Sequence, residues 1–160
     1  MNIFEFAMNK EKLSEDYYRQ LAAESNNKGL EAIFNMLADE EAKHYKIVSD
    51  MKDNTSVTVA ETTVLSDAKD IFEKMRQSAQ NFDFDVSQTE LYRKAQDIEK
   101  QSRDFYLQKA DEVEDANKEI FLKLADQEKK HFFMLENIIE FVSRPETWLE
   151  NAEFYHLEEY

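Results

Sequence analysis

The sequence predicts an all-α fold: a four-helix bundle made of two similar helical hairpins, joined by a long crossover that contains a short helix. Three observations predict it. The 160 residues hold one Gly, one Pro and no Cys, with 34% charged residues, a composition that suits long helices and leaves a sheet short of turn residues. Apolar residues recur at helical spacing through four long stretches. The second half of the chain also repeats the first, so that "LADEEAKH" at 37–44 returns as "LADQEKKH" at 124–131.

The first helix is expected from residue 2 to about 26, with Ile3, Phe6, Leu13, Tyr17 and Leu21 on its apolar stripe. "SNNKG" (25–29) breaks it, with Gly29 as the expected turn residue. A second helix follows through Leu30, Phe34, Leu37, Ala42 and Val48, and "KDN" (52–54) ends it. "TSVTVAETTV" (55–64) is rich in β-branched residues and reads as extended connector, or alternatively as a short strand. A short helix is expected at about 66–78, with Ser66 or Asp67 as its N-cap. "NFDFD" (81–85) closes this crossover, which runs from about 54 to 87. "SQTE" (87–90) has the Ser-x-x-Glu spacing of a capping box and opens a third long helix to about 113. After a turn at "EVEDANKE" (112–119), a fourth helix reaches Ser143. Pro145 either ends it or starts a last short helix with Trp148 and Leu149. One bundle domain over 1–144 and a C-terminal tail over 145–160, with Trp148 packing that tail on the bundle, complete the expected organisation.

The bulk numbers exclude several functions. A formal charge of −15 opposes nucleic-acid binding, which needs a basic patch. No run approaches the roughly 18 apolar residues of a membrane span, and the N-terminus has no secretory pattern, so a cytoplasmic protein is expected. Without Cys there is no thiolate nucleophile and no iron–sulfur cluster. One Gly cannot build a phosphate-binding loop.

The repeat extends beyond eight letters. Shifted by 88, residues 7–22 fall on 95–110 with eight of sixteen identical; shifted by 87, residues 31–44 fall on 118–131 with eight of fourteen identical. Duplication of a hairpin alone would preserve apolar matches such as Phe34 with Phe121. The polar matches ask for more: Glu11 with Glu99, Glu41 with Glu128, His44 with His131. Glu40 pairs instead with Gln127, which counts against it as a working carboxylate. Residues three apart share a helix face, so Glu41 projects with His44 and Glu128 with His131, each pair among core positions. Four carboxylates facing a core cost several kcal/mol each unless compensated. Two divalent cations balance four carboxylates and two neutral imidazoles, and that ligand set suits iron, manganese or zinc.

One Glu from each of two helices and a Glu-x-x-His from each of the other two is the ferritin-like di-iron pattern. The chain resembles the rubrerythrin branch of that superfamily over about residues 3–140. The marks are the internal duplication, the Glu-x-x-His pair, and a Glu two turns before a Tyr (Glu11/Tyr18 and Glu99/Tyr106). The resemblance implies a ferritin-like bundle with two irons, in which Glu41 and Glu128 bridge, Glu11 and Glu99 are terminal ligands, and His44 and His131 give one nitrogen to each metal. Manganese or zinc are possible substitutes. It also implies reduction of hydrogen peroxide or dioxygen, with iron handling or metal sensing as the alternative, and a homodimer. Rubrerythrin peroxidases carry a further carboxylate one turn after the third-helix Glu; here Ser102 stands there, matching Ser14. The cysteine-bearing rubredoxin domain is missing, so electrons are expected from a separate rubredoxin-like donor. Tyr18 and Tyr106 either hydrogen-bond ligand carboxylates or are core aromatics with satisfied hydroxyls. Asp39 and Asp126 either orient imidazoles from a neighbouring helix or have a solvated or capping role. His156 is expected on the surface.

Overall fold

The computed structural model describes residues 2–78 and 84–150. These form six α-helices and no strand: α1 (Ile3–Glu24), α2 (Lys28–Lys52), α3 (Val64–Gln77), α4 (Thr89–Lys109), α5 (Asp115–Ser143) and α6 (Pro145–Glu150). α1 packs along α2 and α4 along α5, giving the two hairpins, while α3 lies against α2 and α5. The connector 55–63 forms neither helix nor strand. Pro145 opens the last helix, and Trp148 is buried against Phe72 and Phe141, with ring centroids at 4.6 and 5.6 Å. Residues 151–160, including His156, and most of "NFDFD" lie outside the described residues.

The helix ends follow from local chemistry, and three of them correct the expectation. Gly29 is not the turn residue. Asn27 caps α2 by accepting the Leu30 N–H at 2.9 Å, and Gly29 sits inside the first turn. There α3 approaches closely: a Cβ on Gly29 would stand 1.7 Å from Met75 Cε. Nor does α3 start at Ser66 or Asp67. Val64 and Leu65 are core residues, so the helix extends back to bury them. Thr63 takes the cap position with its hydroxyl on Asp67 at 2.8 Å. The capping box at Ser87 does not form either. The Asp85 carboxylate takes both the backbone N–H and the hydroxyl of Ser87, at 3.0 and 2.7 Å. That winds Val86–Gln88 into a 3₁₀ turn ahead of α4.

The end of α2 was legible from "KDN". Asn54 has φ 58°, and its N–H bonds Met51 O at 3.1 Å while the Thr55 N–H bonds Asp50 O at 2.8 Å. This is a Schellman motif, in which Asn tolerates the left-handed conformation better than any side chain except Gly. Asn54→Ala is expected to cost about 1 kcal/mol, or about 2–4 °C in unfolding temperature, and Asn54→Gly nothing. Thermal unfolding of the two variants beside the parent checks this; equal losses in both would contradict it.

The described apolar core falls into two clusters. One joins the C-terminal half of α1, the N-terminal half of α2, α3, the start of α4 and the C-terminal half of α5 around Phe34, Phe72, Phe141 and Trp148. The other lies at the opposite end of the bundle around Val48, Tyr106, Phe121 and Leu124. Between them, all four long helices bury polar residues: the carboxylates Glu11, Glu41, Glu99 and Glu128 and the histidines His44 and His131, with Ser14, Ser102, Gln96 and Gln127 also buried.

Candidate metal centre

Glu11 comes from α1, Glu41 and His44 from α2, Glu99 from α4, and Glu128 and His131 from α5. All six are at most 1% exposed. Each imidazole reaches across to the other hairpin: His44 Nδ1 lies 2.6 Å from Glu128 Oε1, and His131 Nδ1 lies 2.8 Å from Glu41 Oε1. Each also faces the carboxylate of its own hairpin, Glu11 at 3.5 Å for His44 and Glu99 at 3.4 Å for His131. The rings are stacked at 5.8 Å and 8°. The duplicated halves therefore meet as reciprocal pairs about an approximate two-fold axis.

Both tyrosines belong to the same reciprocity. Tyr18 donates its hydroxyl to Glu99 Oε1 at 2.5 Å, and Tyr106 donates to Glu11 Oε1 at 2.6 Å. Burial, reinforced by the Glu99 and Glu11 charges, raises both phenols well above their ordinary value, so they remain donors. Each one fixes the direction of its carboxylate.

Two groups of four residues offer ligand atoms within 4.8 Å of one another: Glu11, Glu41, His44 and Glu128, and Glu41, Glu99, Glu128 and His131. Glu41 and Glu128 belong to both groups. Each of the four carboxylates keeps one oxygen, its Oε2, buried and without a hydrogen-bond partner. A buried anionic oxygen in that position is costly. Protons answer part of the cost. Burial, and then the neighbouring carboxylates, raise Glu41 and Glu128 well above the usual carboxylate range. Burial opposes charge on His44 and His131, but Glu11 and Glu99 respectively outweigh it and raise both imidazoles. Burial would raise Glu11 too, yet the charge of His44, 3.5 Å away, brings it below its ordinary value. A divalent cation in each group answers the same cost without protons, and the oxygen and nitrogen donors suit iron, manganese or zinc.

The outer edges of the imidazoles carry residues that sequence reasoning passed over. His44 Nε2 lies 2.7 Å from Gln127 Oε1, whose amide nitrogen donates to Ala60 O at 2.8 Å. His131 Nε2 lies 3.3 Å from Glu40 Oε1, which also accepts from the Thr62 hydroxyl. Burial pushes the Glu40 carboxyl up, but His131 and Thr62 bring it down to about 2. Both outer partners are acceptors, so each Nε2 carries a proton; each Nδ1 shares a proton with the carboxylate it faces in the metal-free cluster and is the nitrogen that a cation would take in its place. Asp39 and Asp126 do not do this. Asp39 pairs with Arg19 at 2.6 Å and Asp126 with Lys130 at 3.1 Å, both more than half exposed. The signal that could have found the outer pair is its place in the repeat, where Glu40 and Gln127 are polar residues at matched positions beside matched glutamates. Ser14 and Ser102 are both buried, and Ser14 Oγ has no hydrogen-bond partner.

Comparison with known proteins gives one finding. A family model described as Rubrerythrin matches residues 2–139. No curated protein and no solved structure matches the chain.

Proposed function

Because the chain belongs to the rubrerythrin family, we propose that its buried cluster holds two iron ions and reduces hydrogen peroxide, or dioxygen, with electrons from a separate donor protein. The observation that carries this reading is the set of four buried carboxylates, each with an unpartnered oxygen, arranged in two overlapping groups that share Glu41 and Glu128. In this reading Glu41 and Glu128, which belong to both groups, would serve both ions, Glu11 and His44 would hold one, and Glu99 and His131 would hold the other. Iron, when bound there, supplies the redox chemistry that breaks the oxygen–oxygen bond.

The chain's own residues prepare the site. Tyr18 and Tyr106 hold the terminal carboxylates in place, and Gln127 and Glu40 hold the imidazole tautomers. Complete burial keeps bulk water from the cluster and strengthens every charge interaction in it. A second reading, iron handling or metal sensing with little turnover, has one observation in its favour. Position 102, one turn beyond Glu99, carries a buried serine where rubrerythrin peroxidases carry a further carboxylate.

The test is metal content after anaerobic reconstitution with ferrous iron, in the intact protein and in His44→Ala/His131→Ala. About two irons per chain are expected in the first and far fewer in the second. Absence of stoichiometric metal from the intact protein would overturn the proposal. Peroxide then separates the readings: repeated turnover with a reductant supports the enzyme, and a single oxidation followed by retained ferric iron supports storage or sensing.

A further inference from the structure

The two halves of the cluster match at every inward-facing ligand position and differ at the outer edge. Behind His131 stands a carboxylate, Glu40, and behind His44 stands a neutral amide, Gln127. We propose that this single difference makes the two metal positions unequal, so that the one served by Glu99 and His131 takes up a divalent cation ahead of the one served by Glu11 and His44. The proposal rests on the metal reading above.

The physical argument concerns what each outer partner does to Nδ1. An imidazole whose Nε2–H donates to a carboxylate is a stronger donor at its other nitrogen than one donating to an amide oxygen. A carboxylate also brings negative charge toward the cation through a poorly screening interior. Both effects favour the His131 side. Two observations limit their size. The Glu40 contact, 3.3 Å, is longer than the 2.7 Å contact of Gln127, and the Glu40 side chain keeps 15% exposure. Partners of this kind change metal affinity by about 10–100-fold. With a long and partly solvated contact, about 10-fold is expected.

The structure also shows why the two residues do not exchange freely. Residues 60–62 of the connector run over the outer edge and supply an opposite group to each partner. The Ala60 carbonyl accepts from the Gln127 amide, which only an N–H₂ can provide. The Thr62 hydroxyl donates to Glu40. The connector thus reads the duplicated positions differently, and Glu40 and Gln127 act as positioning residues through the imidazoles.

The experiment is a sub-stoichiometric titration of the metal-free protein with Zn²⁺, followed by nitrogen NMR of the two imidazoles. Zinc is diamagnetic and redox-silent, so the readout is independent of activity. His131 Nδ1 is expected to shift to its metal-bound position first, with His44 following about 10-fold later in free zinc. In Glu40→Gln, a near-isosteric change, the two histidines are expected to load together. In the exchange variant Glu40→Gln/Gln127→Glu the order is expected to reverse. Simultaneous loading in the intact protein, or an order unchanged in Glu40→Gln, would overturn this inference while leaving the metal reading intact. No zinc shift at either histidine would overturn both.

Discussion

Loading the metal-free protein with ferrous iron, without oxygen, is expected to raise its unfolding temperature by about 15 °C or more near pH 8. Each ion present at about 1,000 times its dissociation constant adds about 4 kcal/mol, and each kcal/mol is about 2–4 °C for a chain of this length. The gain is expected to be smaller near pH ~6, and the sign follows from the protons. In the metal-free fold Glu41 and Glu128 sit above their ordinary 4.5, and His44 and His131 above their ordinary 6.5. For all four, the folded chain holds a proton that the unfolded chain releases. Their stabilisation is therefore complete below the unfolded values and is lost as pH rises through the folded ones. Glu11 and Glu40 run the other way, but their stabilisation is gained below and around 4.5 and is constant above that range. Above 6.5, then, the metal-free protein loses stability with rising pH, while metal binding, which displaces protons, tightens. Calorimetry at two pH values with and without iron measures this directly. An equal gain at both would show that the cations do not replace protons in the cluster.

The second large effect is a divergence between stability and metal retention. Glu41→Gln and Glu128→Gln are each expected to stabilise the metal-free protein near neutral pH by about 1–3 kcal/mol. Each is also expected to weaken metal binding by about 100-fold or more. Glutamine has the shape of a protonated glutamate, the form toward which burial and the neighbouring carboxylates push these two carboxyls in the metal-free fold. It removes the cost of keeping a proton on a group that would otherwise ionise at 4.5. A buried glutamine offers no negative charge for two cations to share, so both positions suffer. Denaturant unfolding of the metal-free variants, alongside metal analysis, tests the pair of outcomes. A variant that is less stable and still retains metal would mean that these carboxylates serve packing and not the cations.

How legible this was depends on whether a residue's role is local. The four long helices and the connector could be read from apolar spacing and composition because those depend on neighbours in sequence. The six residues of the cluster were legible because duplication repeats them against a background that drifts: Glu41 with Glu128 and His44 with His131 keep identity where Met36 and Lys123 do not. Glu40 and Gln127 were passed over for the same reason turned around, since a mismatch in the repeat looked like indifference. Their partners, His131, His44, Ala60 and Thr62, are assembled only by the bundle and the crossover. Gly29 misled because glycine signals a turn, whereas here it makes room for Met75 of α3, which lies 46 residues further along the chain. Ser87 misled because its spacing to Glu90 is right, but Asp85, two residues earlier, competes for the same hydrogens.

The two apolar clusters have a consequence for how changes in this molecule combine. A cavity cut at Phe72 or Trp148 lies wholly within one cluster, and one cut at Phe121 or Leu124 lies wholly within the other. Side chains that touch or share a cavity couple energetically, and those separated by more than about 7–10 Å add. Among the described residues the two clusters share no member, and the buried carboxylates and histidines lie on the same four helices. Substitutions at opposite ends of the bundle are therefore expected to add, and epistasis is expected to concentrate in the layer where the two halves of the chain exchange their hydrogen bonds.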